Sequence, residues 1–112
     1  MSVIEWSGEE IERRCARVES VERIAAIVAE HFGVTRAELS GDDRHHRVAL
    51  PRHVAMYLAK ERLRLSFPAL GRAFGYRDHT TVMSGVRKVR ELRETDPRLA
   101  AEVATIEERL AS

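Results

Sequence analysis

The chain has 112 residues, of which 44% are hydrophobic, so it can close one modest core and has no room for a nucleotide-hydrolysing module. No apolar run approaches about 18 residues, and the N-terminus lacks a basic region followed by an apolar stretch. We therefore expect neither a membrane span nor a secretory signal. Cys15 is the single cysteine, which rules out an internal disulfide and fits a cytoplasmic protein.

The net charge of +1 conceals an uneven distribution. Residues 1–43 carry a net −5, residues 44–93 carry +9 and residues 94–112 carry −3, and four of the five histidines lie in the basic middle. A basic segment between acidic ends is typical of a surface that binds a polyanion, because the attraction to phosphate groups is local. The alternative is a solvated face of mixed charges with no ligand.

The first predicted element is a short helix in an N-terminal extension, residues 1–19. Ser7-Gly8-Glu9-Glu10 has the capping-box pattern, and Trp6 is placed to pack against Ile11. Ile11, Cys15 and Val18 then share one face. This face can pack on the chain's own core or on a second copy. A monomer is favoured because the apolar stripe is short, with a homodimer through this helix as the alternative.

Two further helices and a loop are predicted next. Ser20 can cap a helix that ends at Gly33, and Thr35-Arg36-Ala37-Glu38 is a second capping box, opening a short helix that ends near Leu39. Residues 40–47 are polar and are predicted to form a loop. The buried stripe of the longer helix is predicted to be Val21, Ile24, Ala25, Val28 and Phe32.

A strong helix is predicted to start at Pro51, since proline suits the first helical position. Its inward residues are predicted to be Val54, Ala55, Tyr57, Leu58 and Leu63. Beyond it, Ser66 can cap a helix with Pro68 in its first turn and Leu70 facing inward, and Gly75 would end that helix.

After a brief turn, Asp78 can cap the next helix, which makes a helix-turn-helix. Its core residues are predicted to be Val82, Val86, Val89 and Leu92, which turns Thr81, Ser84, Arg87 and Lys88 toward other surfaces. Asp96-Pro97 opens a last helix with Leu99, Val103, Ile106 and Leu110 inward. No strand-like alternation occurs, so the predicted fold is a compact all-α domain.

The segment Arg77-Asp78-His79-Thr80-Thr81-Val82 places polar side chains at a helix start. Free backbone N–H groups there suit phosphate, and the first side chains can reach base edges in the major groove. The plainer readings are that Asp78 is only a cap and that His79 is simply solvated. His45 and His46 have no cysteine or acid at ligand spacing, so no metal site is predicted.

From Val21 to Leu110 the chain resembles the C-terminal DNA-binding domain of the bacterial replication initiator DnaA. The resemblance rests on Phe32-Gly33-Val34, the basic loop with Arg44, the segment from Pro51 to Lys60, the segment from Ser66 to Gly71, and the segment from Phe74 to Val82. It implies a Trp-repressor-like helix-turn-helix domain over residues 20–112. The family's ATP-binding AAA+ module does not occur in these residues, so we expect a stand-alone binding protein that uses no ATP and no cofactor.

The resemblance also implies double-stranded DNA as the partner, at the nonameric DnaA box, in the regulation of replication initiation or transcription. By position, the base-reading residues would be Asp78, His79, Thr80 and Thr81, with Phe67 and Pro68 against thymine methyls. Arg44 would enter the minor groove, and the phosphate backbone would be held by Arg52, Lys60, Arg77 and Lys88. Arg52 and Lys60 can also be read as surface residues without a ligand.

Three departures from the family pattern bear on these expectations. Tyr76 stands where many members have a second glycine, His45 and His46 occupy loop positions that often carry arginine or small polar residues, and Leu63-Arg64-Leu65 replaces a more polar stretch. The alternative function is a protein-interaction module of the replication machinery with residual DNA affinity. An enzyme is not expected, because no activated nucleophile or glycine-rich phosphate loop is present in the sequence.

Overall fold

The structure, a computed structural model, describes residues 21–111 and shows only helices and loops across them. Helix α1 covers residues 21–32, and the remaining helices are α2 (Arg36–Leu39), α3 (His46–Leu63), α4 (Phe67–Ala73), α5 (His79–Thr95) and α6 (Pro97–Ala111). The predicted all-α class is confirmed. None of these helices is both long and apolar enough to cross a membrane. The predicted first helix, with Trp6, Ile11, Cys15 and Val18, and the Ser20 cap lie outside the described residues.

Helix α3 is the centre of the domain and packs against α2, α4 and α5, while α5 also packs against α4 and α6. Its residues 51–59 are buried on nearly every side, with only His53 partly exposed. The sequence pattern predicted one inward face and missed Met56 and Ala59, which are 1% and 0% exposed. The largest fully buried side chains are Phe74, Ile24, Leu39, Met56, Leu58, Leu70 and Ile106.

The predicted start of α3 at Pro51 is wrong. The helix begins at His46, so Pro51 lies inside it and the carbonyl of Arg47 lacks the usual N–H partner. Two tertiary contacts hold the extra turn. Val48 is fully buried, and the Arg47 guanidinium lies 2.8 Å from the Glu38 carboxylate of α2. The burial of Val48 therefore extends the helix through a segment that its polar sequence marked as loop.

The predicted caps at Thr35, Ser66, Asp78 and Asp96 are confirmed. Thr35 and Glu38 form the reciprocal capping box, and the Ser66 hydroxyl accepts from the Ala69 N–H at 3.2 Å. Asp78 accepts from the Thr80 N–H at 2.8 Å, and Asp96 accepts from the Arg98 N–H at 3.0 Å. These side chains satisfy N–H groups that have no partner within their helices, so the helix boundaries follow largely from local sequence.

The turn between α4 and α5 is set by a close backbone contact. The Arg77 N–H donates to the Gly71 carbonyl at 2.9 Å, and a Cβ added to Gly71 would lie 2.2 Å from the Arg77 carbonyl oxygen. Gly75 has φ +92°, and a Cβ there would lie 2.2 Å from the Ser40 carbonyl oxygen. Both glycines are required because backbone passes where a side chain would otherwise stand.

We expect Gly71→Ala to lower the free energy of unfolding by about 2–4 kcal/mol, although alanine is the better helix former, because backbone cannot move aside cheaply. Gly33→Ala is the matched control: Gly33 has φ +69° and open space around a Cβ, so only its left-handed backbone is strained. That variant should cost about 1 kcal/mol. Urea denaturation of both variants measures the difference, and equal losses would contradict the close contact.

Candidate nucleic-acid interface

The first turn of α5 presents polar side chains to solvent. Asp78, His79, Thr80 and Thr81 are all exposed, and the buried stripe of the helix begins only at Val82. The Oδ1 atom of Asp78 accepts from both the Thr80 hydroxyl and the Thr80 N–H. These two bonds, the hydroxyl bond first, lower the pKa of Asp78 below its ordinary value and keep the carboxylate ionised. Because 65% of the Asp78 side chain is exposed, its second oxygen is available as an acceptor.

Two depressions meet at this helix start. A groove of about 600 Å³ runs between the 42–44 loop, α3 and α5, and a smaller recess of about 300 Å³ lies beside α4. The groove brings together six of the predicted site residues, namely Arg44, Arg52, Arg77, Asp78, Thr81 and Lys88. The recess contains Pro68, Arg77, Asp78 and His79. Phe67, Lys60 and Thr80 line neither depression.

The cations of the domain differ in whether a carboxylate of the domain neutralises them. Five arginines pair with carboxylates of other elements and so hold the fold together: Arg36, Arg47, Arg90, Arg93 and Arg109. Three cations that line the groove or the recess have no acidic partner among residues 21–111: Arg44, Arg72 and Lys88. Such unneutralised charges suit a polyanion. Asp42 also lines the groove and opposes this attraction.

Arg52 and Lys60 make internal contacts that the sequence did not predict. Arg52 is 4% exposed, and its Nε and Nη2 donate to the carbonyls of Leu39 and Glu38 at 2.9 and 3.0 Å, at the end of α2. Lys60 donates from Nζ to the Leu65 carbonyl at 2.8 Å and lies 4.5 Å from the Phe67 ring centroid. Both side chains position backbone of the domain, and their phosphate contacts stay predictions.

Arg77 connects the turn to the loop before α3. Its Nη2 donates to the Gly41 carbonyl, and its buried Nε has no hydrogen-bond partner in the described part of the chain. Burial lowers the pKa of Arg77 from its ordinary value, because the charged form loses hydration. Arg77 therefore joins the two segments that border the groove, and its predicted phosphate contact is not tested by this geometry.

His53 lines the groove and was not among the predicted site residues. Its ring packs over Gly85 of α5, where an added Cβ would lie 2.6 Å from Cδ2. Burial, together with the nearby charges of Lys88, Arg52 and Arg77, lowers the pKa of His53 to about 4. At neutral pH the ring is therefore uncharged and offers one donor and one acceptor beside Thr81 and Lys88. The one sequence signal was a glycine within a helix, at Gly85.

A short helix, a tight glycine turn and a second helix with exposed polar residues beside unpaired cations define a DNA-binding helix-turn-helix domain. Such a domain is not catalytic. The family model described as "Bacterial dnaA protein helix-turn-helix" matches residues 21–89. The chain belongs to this family, which confirms the resemblance inferred from the sequence.

Individual relatives agree with the family match. The chain is 47% identical over 91 residues to the chromosomal replication initiator protein DnaA of Cereibacter sphaeroides, covering 81% of this chain and 20% of that protein. It is 47% identical over 81 residues to the DnaA of Thermus thermophilus, covering 72% and 19%. A crystal structure of a DNA replication initiation factor matches with a TM-score of 0.75 at 29% identity, covering 91% of this chain and 32% of that one. The chain thus spans about a fifth of these DnaA proteins.

Because His53 is half-buried and its pKa is lowered, we expect the free energy of unfolding to fall in mild acid. Below its ordinary pKa of 6.5 the unfolded chain takes up a proton at His53, whereas the folded chain does so only near 4, so acid favours unfolding between these values. At pH 5 we expect a loss of about 1 kcal/mol relative to pH 7.5, discounted for solvent screening. Denaturant titrations of wild type and His53→Gln measure this, and an identical pH dependence in both would contradict it.

Proposed function

We propose that this domain binds double-stranded DNA sequence-specifically at DnaA-box-like sites, and thereby regulates replication initiation or transcription. The observation that carries the proposal is the exposed first turn of α5, with four polar side chains between a groove and a recess bordered by unpaired cations. The matched relatives are named as chromosomal replication initiators, which supports a role at such sites.

The residue types at this turn suit base recognition in the major groove. Thr81 offers a hydroxyl to a base edge and a methyl to thymine. The Thr80 hydroxyl donates to Asp78 and can still accept, and the second oxygen of Asp78 can accept from a cytosine or adenine amino group. His79 lies in the same recess as Pro68, whose exposed ring can contact a thymine methyl. Phe67 is partly buried under Lys60, so Pro68 is better placed for that contact.

Cations around the turn supply the affinity. Lys88 lies two turns after Thr81 on the same face of α5 and lines the same groove, while Arg44 projects from the exposed loop at its other side. We propose that Lys88 holds a phosphate and that Arg44 enters the adjacent minor groove, whose negative potential favours arginine when it is narrow. Binding of this kind needs hydrogen bonds and ion pairs alone, so we propose that it requires neither ATP nor a metal and that a monomer can occupy one site.

We expect Thr81→Ala to reduce the discrimination between a DnaA-box duplex and a scrambled duplex by about 1–3 kcal/mol, because it removes a base contact. Thr105→Ala is the matched control, since Thr105 is an exposed threonine on α6, away from the groove. Fluorescence anisotropy titrations measure both. Equal weakening on the two duplexes would contradict base reading by Thr81. If wild type bound neither duplex, the interaction-module alternative would be favoured.

We expect Lys88→Ala to weaken both duplexes alike and to reduce the slope of log affinity against log salt by about one, because a phosphate contact carries no sequence information. Arg98→Ala provides a control, since Arg98 is an exposed cation that lines neither the groove nor the recess. Titrations at three salt concentrations give the slopes. An unchanged slope in Lys88→Ala would show that Lys88 does not meet a phosphate.

A further inference from the structure

Tyr76 occupies an unusual place in the turn between α4 and α5. Its side chain is 85% exposed, and it is the exposed large hydrophobic residue of the part of the chain that the structure describes. Its backbone has φ +57°, in the left-handed region that is unfavourable for residues with a Cβ. The domain therefore holds an aromatic ring in solvent on a strained backbone.

The fold itself does not account for this tyrosine. A ring so exposed buries little surface against the domain, and glycine would adopt the same backbone without strain. The preceding Gly75 already provides the tightest part of the turn, where its Cα passes over the Ser40 carbonyl. The ring is therefore available for contact with something outside the domain.

The position of Tyr76 indicates what that contact is. Tyr76 lines both the groove that contains Lys88 and the recess that contains Pro68 and His79, so it stands on the ridge between them. Arg72, a cation without an acidic partner among residues 21–111, lies in the same recess. If the first turn of α5 enters a major groove, we expect this ridge at its edge to lie beside a sugar-phosphate strand.

We propose that Tyr76 is a DNA-contact residue of this chain, with its ring packed against a deoxyribose at the edge of the major groove and its hydroxyl donating to a phosphate oxygen. The inference rests on the proposed function. Tyrosine suits such a place because an apolar ring and a polar tip match the sugar and the phosphate, and tyrosine hydroxyls commonly bind phosphate oxygens. The contact adds affinity without adding charge.

The test combines Tyr76→Gly with Tyr76→Phe, measured for duplex affinity, salt slope and melting temperature. For Tyr76→Gly we expect about a tenfold loss of affinity for box and scrambled duplexes alike, with an unchanged salt slope, because tyrosine releases no counterion. Its melting temperature should change little, because the relief of backbone strain offsets the freedom that glycine adds to the unfolded chain. Tyr76→Phe should lose about fivefold through the hydroxyl alone. Lys88→Ala, which should change the slope, is the control.

The other outcomes distinguish failure of the Tyr76 contact from failure of the proposed function. If wild type bound the box duplex and Tyr76→Gly bound it equally well, the Tyr76 contact would be wrong while the proposed function stood. A fall in the melting temperature of Tyr76→Gly would show that the ring serves the fold and would overturn the inference. Wild-type affinity in Tyr76→Phe would overturn the phosphate hydrogen bond. If wild type showed no duplex binding in the same titration, the proposed function itself would fail.

Discussion

The backbone contact between Gly71 and Arg77 is the constraint on which the placement of the first turn of α5 depends. The hydrogen bond of 2.9 Å and the absence of room for a Cβ bring the end of α4 against the start of α5. Because Asp78 caps α5 directly after this contact, the direction of α5 is fixed from its first residue. The four polar residues of its first turn therefore face solvent together, and the valines that follow reach the core.

Hydrogen bonds from two arginines fix the backbone on the other side of the groove. The Arg52 guanidinium binds carbonyls at the end of α2, and Arg77 binds the Gly41 carbonyl. Each satisfies backbone acceptors that the helix end or the loop leaves open. Two arginines of the basic segment thus hold the end of α2 and the loop at Gly41, while the exposed Lys88 and Arg72 have no acidic partner among residues 21–111. The number of cations in a basic segment therefore overstates the number that are available to a ligand.

The local features of the fold were predictable because they depend on neighbouring residues. The caps at Thr35, Ser66, Asp78 and Asp96 and the core stripe of α5 follow from hydrogen-bond chemistry and helical spacing. The start of α3 was not predictable, because Pro51 carries a strong local signal for a first helical position. The helix nevertheless begins at His46, because Val48 is buried and Arg47 pairs with Glu38. The Arg47–Glu38 pair forms only when α2 is folded against α3.

The sequence by itself determined the all-α class, the helix-turn-helix and the first-turn residues of α5, since their signals lie within a few residues of one another. Only the tertiary structure decided which cations are free and which are internal, that His53 lies against Gly85, and that Tyr76 stands exposed on a left-handed backbone. The physical reason is distance along the chain. Burial and hydrogen bonding of these residues depend on partners tens of residues away, which no local pattern specifies.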